Sequence, residues 1–217
     1  MSLTKDLIER SMKIDPAMIG HYIQGGFMNQ KIKPVDEKYK IIGPAFTVSI
    51  PGKYSAILYY AMRRAPEGSI IVVDRMGDDR YACCGEGVAR VAKNLKLGGI
   101  VIDGPSTDTL GIKKLNFPVF STGRSPVTTT VKEAEGNYNK PISCGGVSVS
   151  TGDIIFGDAD GVIVIDKDEF EDTLVNAEKM LDNEKKLFNK IDTEDMRKEP
   201  LFPEKKVKEL LAKKGLL

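Results

Sequence analysis

The spacing of apolar residues changes along the chain, and those changes divide it into elements. Leu3, Leu7, Ile8 and Met12 recur at helical spacing among charges, and Asp15-Pro16 restarts the chain into a second helix closed by Gly25-Gly26. After Gly43-Pro44 the period shortens to two: Phe46, Val48 and Ile50 alternate through a strand at 45–50, Pro51-Gly52 ends it, and residues 54–64 return to a helix. Two short, wholly apolar runs follow, 69–73 and 100–102, each ending in an acid, Asp74 and Asp103. Between them Val88, Val91, Ala92 and Leu95 mark a helix face, and a short helix running to about Leu115 separates the second run from Pro118-Val119-Phe120. Strands apolar on both faces, alternating with helices, predict consecutive parallel βαβ units.

Beyond Thr122 the glycine-bearing turns Gly145-Gly146, Gly152-Asp153, Gly157-Asp158 and Asp160-Gly161 cut the chain into short strands, predicting a β-rich second layer. Residues 167–189 then carry Phe170, Leu174, Ala177, Leu181 and Leu187 near one helical face, and Pro200 and Pro203 isolate a last helix at 204–211. The organisation expected is an α/β domain over 1–166 and a helical extension over 167–217 that packs on that domain or on a neighbouring subunit.

Composition narrows the chemistry. At 217 residues the chain is long enough for one sizeable core, and its 32 basic against 31 acidic residues are interspersed, which argues against a nucleic-acid or anionic-membrane surface. The apolar runs are far shorter than the ~20 residues needed to span a bilayer, and the polar start lacks a signal-peptide core, so a soluble, cytoplasmic protein is expected. With three cysteines in no paired Cys-x-x-Cys arrangement, neither a zinc site nor a disulfide framework is expected, and Cys83, Cys84 and Cys144 read as packing. The single histidine, His21, has no nucleophile motif beside it and reads as structural or solvated.

Ligands of open α/β sheets bind beyond the carboxyl ends of the strands. The loop after Val73 delivers Gly85-Glu86-Gly87 to one helix start, and the loop after Ile102 delivers Thr107-Asp108 to the next. Glu86 and Asp108, 22 positions apart, are thus about one βαβ step from each other, beside free first-turn amides that attract an anion. Two carboxylates and water suit Mg²⁺ or Mn²⁺, which would accept a 2-keto acid as a chelating ligand; the plainer alternative is that both acids only favour their helix dipoles.

The ordered string Gly43-Pro44-Ala45, Pro66-Glu67-Gly68, Val72-Val73-Asp74, Ala82-Cys83-x-Gly85-Glu86, Val101-Ile102-Asp103-Gly104, Asp108, Pro118-Val119-Phe120, Cys144-Gly145-Gly146-Val147 and Gly157-Asp158-x-Asp160-Gly161-Val162 resembles the RraA-like family over roughly residues 40–166. That family holds class II 4-hydroxy-4-methyl-2-oxoglutarate aldolases, which also decarboxylate oxaloacetate, and regulators of ribonuclease E; its members once carried a demethylmenaquinone methyltransferase label. The resemblance implies a β/β/α swivelling-type core, assembly into homotrimers or hexamers, and an active site at a subunit interface. It implies Asp108 as metal ligand, Glu86 acting on the metal through water, and the amides of Gly87, Val88 and Ala89 holding the pyruvyl carboxylate, with Gly85 and Thr107 also at the substrate.

Two positions depart from the family's Asp-Gly-x-x-Arg-Asp-x-x-Glu/Asp pattern: Thr107 stands for the arginine and Gly111 for the later acid. A threonine hydroxyl supplies neither the charge nor the bidentate geometry of a guanidinium. Arg80 and Arg124 are the candidates to restore a cation from another direction. The reading is therefore a divalent-metal-dependent lyase, aldolase or decarboxylase, acting on a small 2-keto acid. Its alternative is a non-catalytic regulator that binds a ribonuclease or RNA helicase. Methyl transfer finds no G-x-G turn after Val73 to support it.

Overall fold

A computed structural model of the chain describes residues 3–198 and 203–217, so Pro200 lies outside the described residues. The chain divides into two compact units, Met1–Val175 and Asn176–Leu217. In the first unit α1 (Lys5–Ser11) and the short α2 (Pro16–Ile19) precede β1 (Lys33–Pro34). The parallel core follows as β2 (Ile41–Ser49), α3 (Ala56–Met62), β3 (Ile70–Asp74), α4 (Glu86–Asn94), β4 (Gly99–Ser106), α5 (Thr109–Leu115) and β5 (Val119–Arg124). Then come β6 (Asn137–Tyr138), the hairpin β7 (Ile142–Cys144) and β8 (Val147–Val149), and the hairpin β9 (Ile154–Asp158) and β10 (Gly161–Ile165). Helix α6 (Phe170–Thr193) runs through the division at Val175, and α7 (Glu204–Ala212), in the second unit, buries none of its residues.

The sheet runs in the order β1-β5-β4-β3-β2-β9-β10, with β6 also on β2. Its centre is parallel: Ile70, Ile71, Val72 and Val73 are fully buried between the β2 and β4 ladders, which is why that stretch reads as unbroken apolar sequence. At the far edges Lys33 of β1 donates to the Asp160 carbonyl at 2.6 Å and Phe27 bridges Ile163 of β10, so the sheet nearly closes into a barrel. Of the late strands, β9 and β10 extend this same sheet through β2, and β7–β8 forms a separate two-stranded piece on β3, where Cys144 Sγ lies 3.9 Å from the Val73 carbonyl.

Several element boundaries differ from expectation, β4 among them, which runs on past Ile102 to Ser106. Strand β2 starts at Ile41, not at Ala45, because its first four residues pair with β9 in a contact remote in sequence. Gly43 lies inside that strand, where a Cβ would come within 2.6 Å of the Gly68 carbonyl. Helix α2 ends at Ile19 and does not reach Gly25-Gly26. Helix α6 begins three positions after Lys167, because Asp166 folds the intervening residues into a turn, its carboxylate accepting the Asp168 amide at 2.8 Å.

Candidate active site

Strand β4 carries a register shift between Ile102 and Pro105, where Pro105 has no amide to donate. The irregularity sits just ahead of Ser106, Thr107 and Asp108. Asp108 itself is left-handed, φ 52° and ψ 38°, a conformation that costs least for Gly, Asn and Asp. Its side chain does not cap α5, whose N-cap position it occupies; it reaches across to α4, where Oδ2 accepts the Glu86 amide at 3.1 Å. A second bond, from the Thr107 amide to the Cys84 carbonyl at 2.9 Å, ties the same two loops.

Gly85 makes this approach feasible. A Cβ there would lie 2.4 Å from Asp108 Oδ2 and 2.7 Å from Thr107 Cγ2, so any other residue would push the carboxylate aside. Upstream, the buried Arg75 just past the end of β3 donates to the carbonyls of Ile50 at 2.8 Å and Gly52 at 2.6 Å, tying the start of this loop to the turn after β2.

These residues border a cavity of about 490 Å³ whose walls include Ser55, Tyr59, Gly85, Thr107, Asp108 and Lys132. Gly87 and Val88 also border it. The amide of Ala89 does not serve as an anion donor, because α4 starts at Glu86 and Ala89 makes the helix bond back to Gly85 at 3.0 Å. The Glu86 carboxylate turns to Arg90, accepting from its Nε at 2.9 Å, and lies over Gly111 of α5. Arg80 stacks near the Tyr81 ring and Arg124 ends β5 exposed; the cavity lining includes neither. Cys83 forms part of the wall, and burial pushes its thiol up to about 11, which keeps it protonated at neutral pH.

The third wall was not anticipated. Residues 127–130 run as an extended segment clamped on both sides: Ala82 donates to Val127 and accepts from Thr129, and Thr130 accepts from Ser55 and donates to Lys53, at 2.8–3.0 Å. Thr129 Oγ1 also donates to Ser55 Oγ at 2.7 Å. The β-branched run Val127-Thr128-Thr129-Thr130-Val131 is the sequence signal that would have found it.

A larger hollow, about 810 Å³, lies beside Asp74, Met76 and Lys140, but the Asp74 carboxylate is engaged by the Met76 amide at 2.6 Å. Among the described residues no three of His, Cys, Asp and Glu gather as a metal cluster. The donor set at the smaller cavity is one carboxylate, Asp108, among hydroxyls. That suits a hard ion which keeps its waters and takes substrate oxygens, and it does not suit zinc.

Residues 6–164 match the RraA-like family, Aldolase/RraA. A protein of Halalkalibacterium halodurans named "Putative 4-hydroxy-4-methyl-2-oxoglutarate aldolase" is 41% identical over 152 residues, covering 70% of this chain and 72% of that one. Protein DlpA of Legionella pneumophila is 31% identical over 179 residues, 80% of this chain but only 29% of its own. Among solved structures, Streptomyces coelicolor RraAS2, described as an unusual member of the RNase ES inhibitor RraA family, superposes with a TM-score of 0.75 at 23% identity, covering 85% of this chain and 96% of that one.

Proposed function

The chain belongs to the RraA-like family, and from that premise we propose that it is a divalent-metal-dependent carbon–carbon lyase, an aldolase or decarboxylase acting on a small 2-keto acid. The observation that supports it most is the Asp108 carboxylate: held left-handed, tied by one oxygen to the α4 amide, and bordering an open cavity.

Asp108 is the residue that would hold Mg²⁺ or Mn²⁺. Such an ion, when bound, supplies positive charge for a keto oxygen on which negative charge collects as the adjacent carbon–carbon bond breaks. Around it Gly87 and Val88 would offer main-chain donors to the substrate carboxylate, and Thr107, Ser55 and Thr129 would offer hydroxyls. Glu86 would act through water after leaving Arg90, a partly exposed pair worth no more than about 0.5 kcal/mol. The site would be completed in a homo-oligomer, trimer or hexamer, as the family resemblance implies.

Pyruvate release from oxaloacetate and from 4-hydroxy-2-keto diacids, with Mg²⁺, with Mn²⁺ and with chelator, tests the reading. Metal-stimulated turnover is the expected result, and no turnover on any of these sinks it. The second reading, a non-catalytic regulator docking on a ribonuclease or RNA helicase, is favoured by one feature: Thr107 at the position of the family's arginine, packed against Gly85. Association with ribonuclease E in a pull-down, together with absent turnover, would select it.

A further inference from the structure

The family match ends at residue 164, so helix α7 takes no part in the chemistry assigned above. Its nine residues, EKKVKELLA, set Val207, Leu210 and Leu211 at helical spacing on one face, yet none of the nine is buried and Leu210 is 56% exposed. A paired turn closes the helix: the Gly215 amide donates to the Ala212 carbonyl at 3.0 Å and the Leu216 amide to the Leu211 carbonyl at 3.1 Å, with Gly215 left-handed at φ 65°. That turn brings Leu216, itself 69% exposed, back to the end of the stripe where Leu211 stands.

The even charge of the whole chain does not hold locally. Residues 203–217 carry Lys205, Lys206, Lys208, Lys213 and Lys214 against Glu204 and Glu209. Glu204 is taken by Lys208 at 2.7 Å, and among the described residues the other four lysines form no ion pair. An aliphatic stripe flanked by lysines, whose apolar stems can lie along it while the ammonium groups reach outward, is the composition of a helix that rests in a lipid interface. Protein interfaces favour aromatic side chains and arginine over lysine, and α7 has neither. Area argues the same way, since four such side chains expose roughly half of the ~800 Å² that each partner buries in a stable protein complex.

We propose that α7 is a membrane-surface anchor, seating Val207, Leu210, Leu211 and Leu216 at the acyl boundary of an anionic bilayer while its lysines meet the headgroups. It lies on the bilayer and does not cross it, because among the described residues no helix is long and apolar enough to span one. The inference does not depend on the lyase reading.

The test is co-sedimentation of the full chain with vesicles of phosphatidylcholine alone and of phosphatidylcholine mixed with phosphatidylglycerol. Wild type is expected to bind the mixed vesicles at least about tenfold more tightly at ~0.1 M salt, and to lose that preference near ~1 M, where the screening length falls to ~3 Å. Lys206→Gln combined with Lys213→Gln should weaken binding to the mixed vesicles by about fivefold for each lysine removed. Leu210→Gln should weaken it by about tenfold, and because that side chain is more than half exposed the thermal midpoint should not move. Equal binding to both vesicles, or binding to neither, would overturn the proposal. So would a Leu210→Gln chain that binds as wild type does, since charge alone would then hold the protein without seating the helix. Sedimentation velocity without lipid supplies the remaining arm: a smaller species in Leu210→Gln than in wild type, together with no lipid preference, would mean a contact between copies and overturn it too.

Discussion

Asp103 and Asp108 lie on the same strand-to-helix passage, five positions apart, and have opposite employment. Asp103 sits opposite Asp74 in the parallel ladder, and its carboxylate accepts the Gly145 amide at 2.8 Å, holding the β7–β8 hairpin to the sheet. Asp108 accepts an amide too, but at the edge of a cavity, from a left-handed backbone, and with an oxygen to spare. An acid after an apolar strand is therefore no sign of a site in itself; what separates the two is whether the second oxygen faces an open space.

The contrast is broken most sharply at Asp108. Asn tolerates the left-handed backbone and can still accept the Glu86 amide, so Asp108→Asn removes charge and little else. Turnover on oxaloacetate should fall by about a thousandfold or more, roughly 4 kcal/mol of transition-state stabilisation, with the denaturation midpoint nearly unchanged. Comparable losses of stability and activity would instead make Asp108 a structural acid like Asp103.

Gly85→Ala attacks the same carboxylate through its neighbour. The new Cβ must displace Asp108 Oδ2 and Thr107, and a displacement of about 1 Å is expected to cost about a hundredfold in kcat/KM. Metal-dependent turnover within threefold of wild type would show that the carboxylate's place is not critical.

At the other acid the expected loss is in stability. Asp103→Ala leaves the Gly145 amide without its charged acceptor, at a cost of about 2 kcal/mol in urea denaturation, while kcat per folded molecule persists. A selective loss of kcat there would dissolve the distinction between the two acids.

The parallel half of the fold was readable because burial on both faces forces runs such as Ile70 to Val73, and local glycines and prolines punctuate them. The first half of β2 was not, because Ile41 to Pro44 owe their strand to β9, more than a hundred positions away. Asp108 stood out through its motif, but its left-handed backbone follows from tertiary ties that sequence spacing does not encode. Spacing fixes where the Glu86 Cα lies and not which way its long side chain turns, and Arg90 one helical turn on takes the carboxylate. Lys132 escaped notice because its position depends on a clamp between three segments distant in sequence.

The pH dependence of stability probes the walls more gently. Burial raises the Cys83 thiol from an ordinary 9.0 to about 11, so the unfolded chain loses that proton first as pH rises. Stability should then fall from about pH 9 upward, by at most about 1.4 kcal/mol per pH unit from this thiol, and Cys83→Ala should flatten the decline. A slope unaffected by that substitution would mean the thiol is wetter than its place in the wall implies.

The smallest effect is expected at Gly111, where a Cβ would meet Glu86 Oε2 at 2.0 Å and Glu86 Cβ at 3.0 Å. The nearer atom is the end of a flexible side chain, so Glu86 gives way and loses its pair with Arg90, worth about 0.3–0.5 kcal/mol. Alanine in a helix returns about 0.5–1 kcal/mol over glycine, so Gly111→Ala should unfold within about 0.5 kcal/mol of wild type. Its value lies in the kinetics: if Glu86 works only after leaving Arg90, kcat holds or rises when the pair is broken. A fall of more than threefold would mean that Glu86 acts from the very position in which Arg90 holds it.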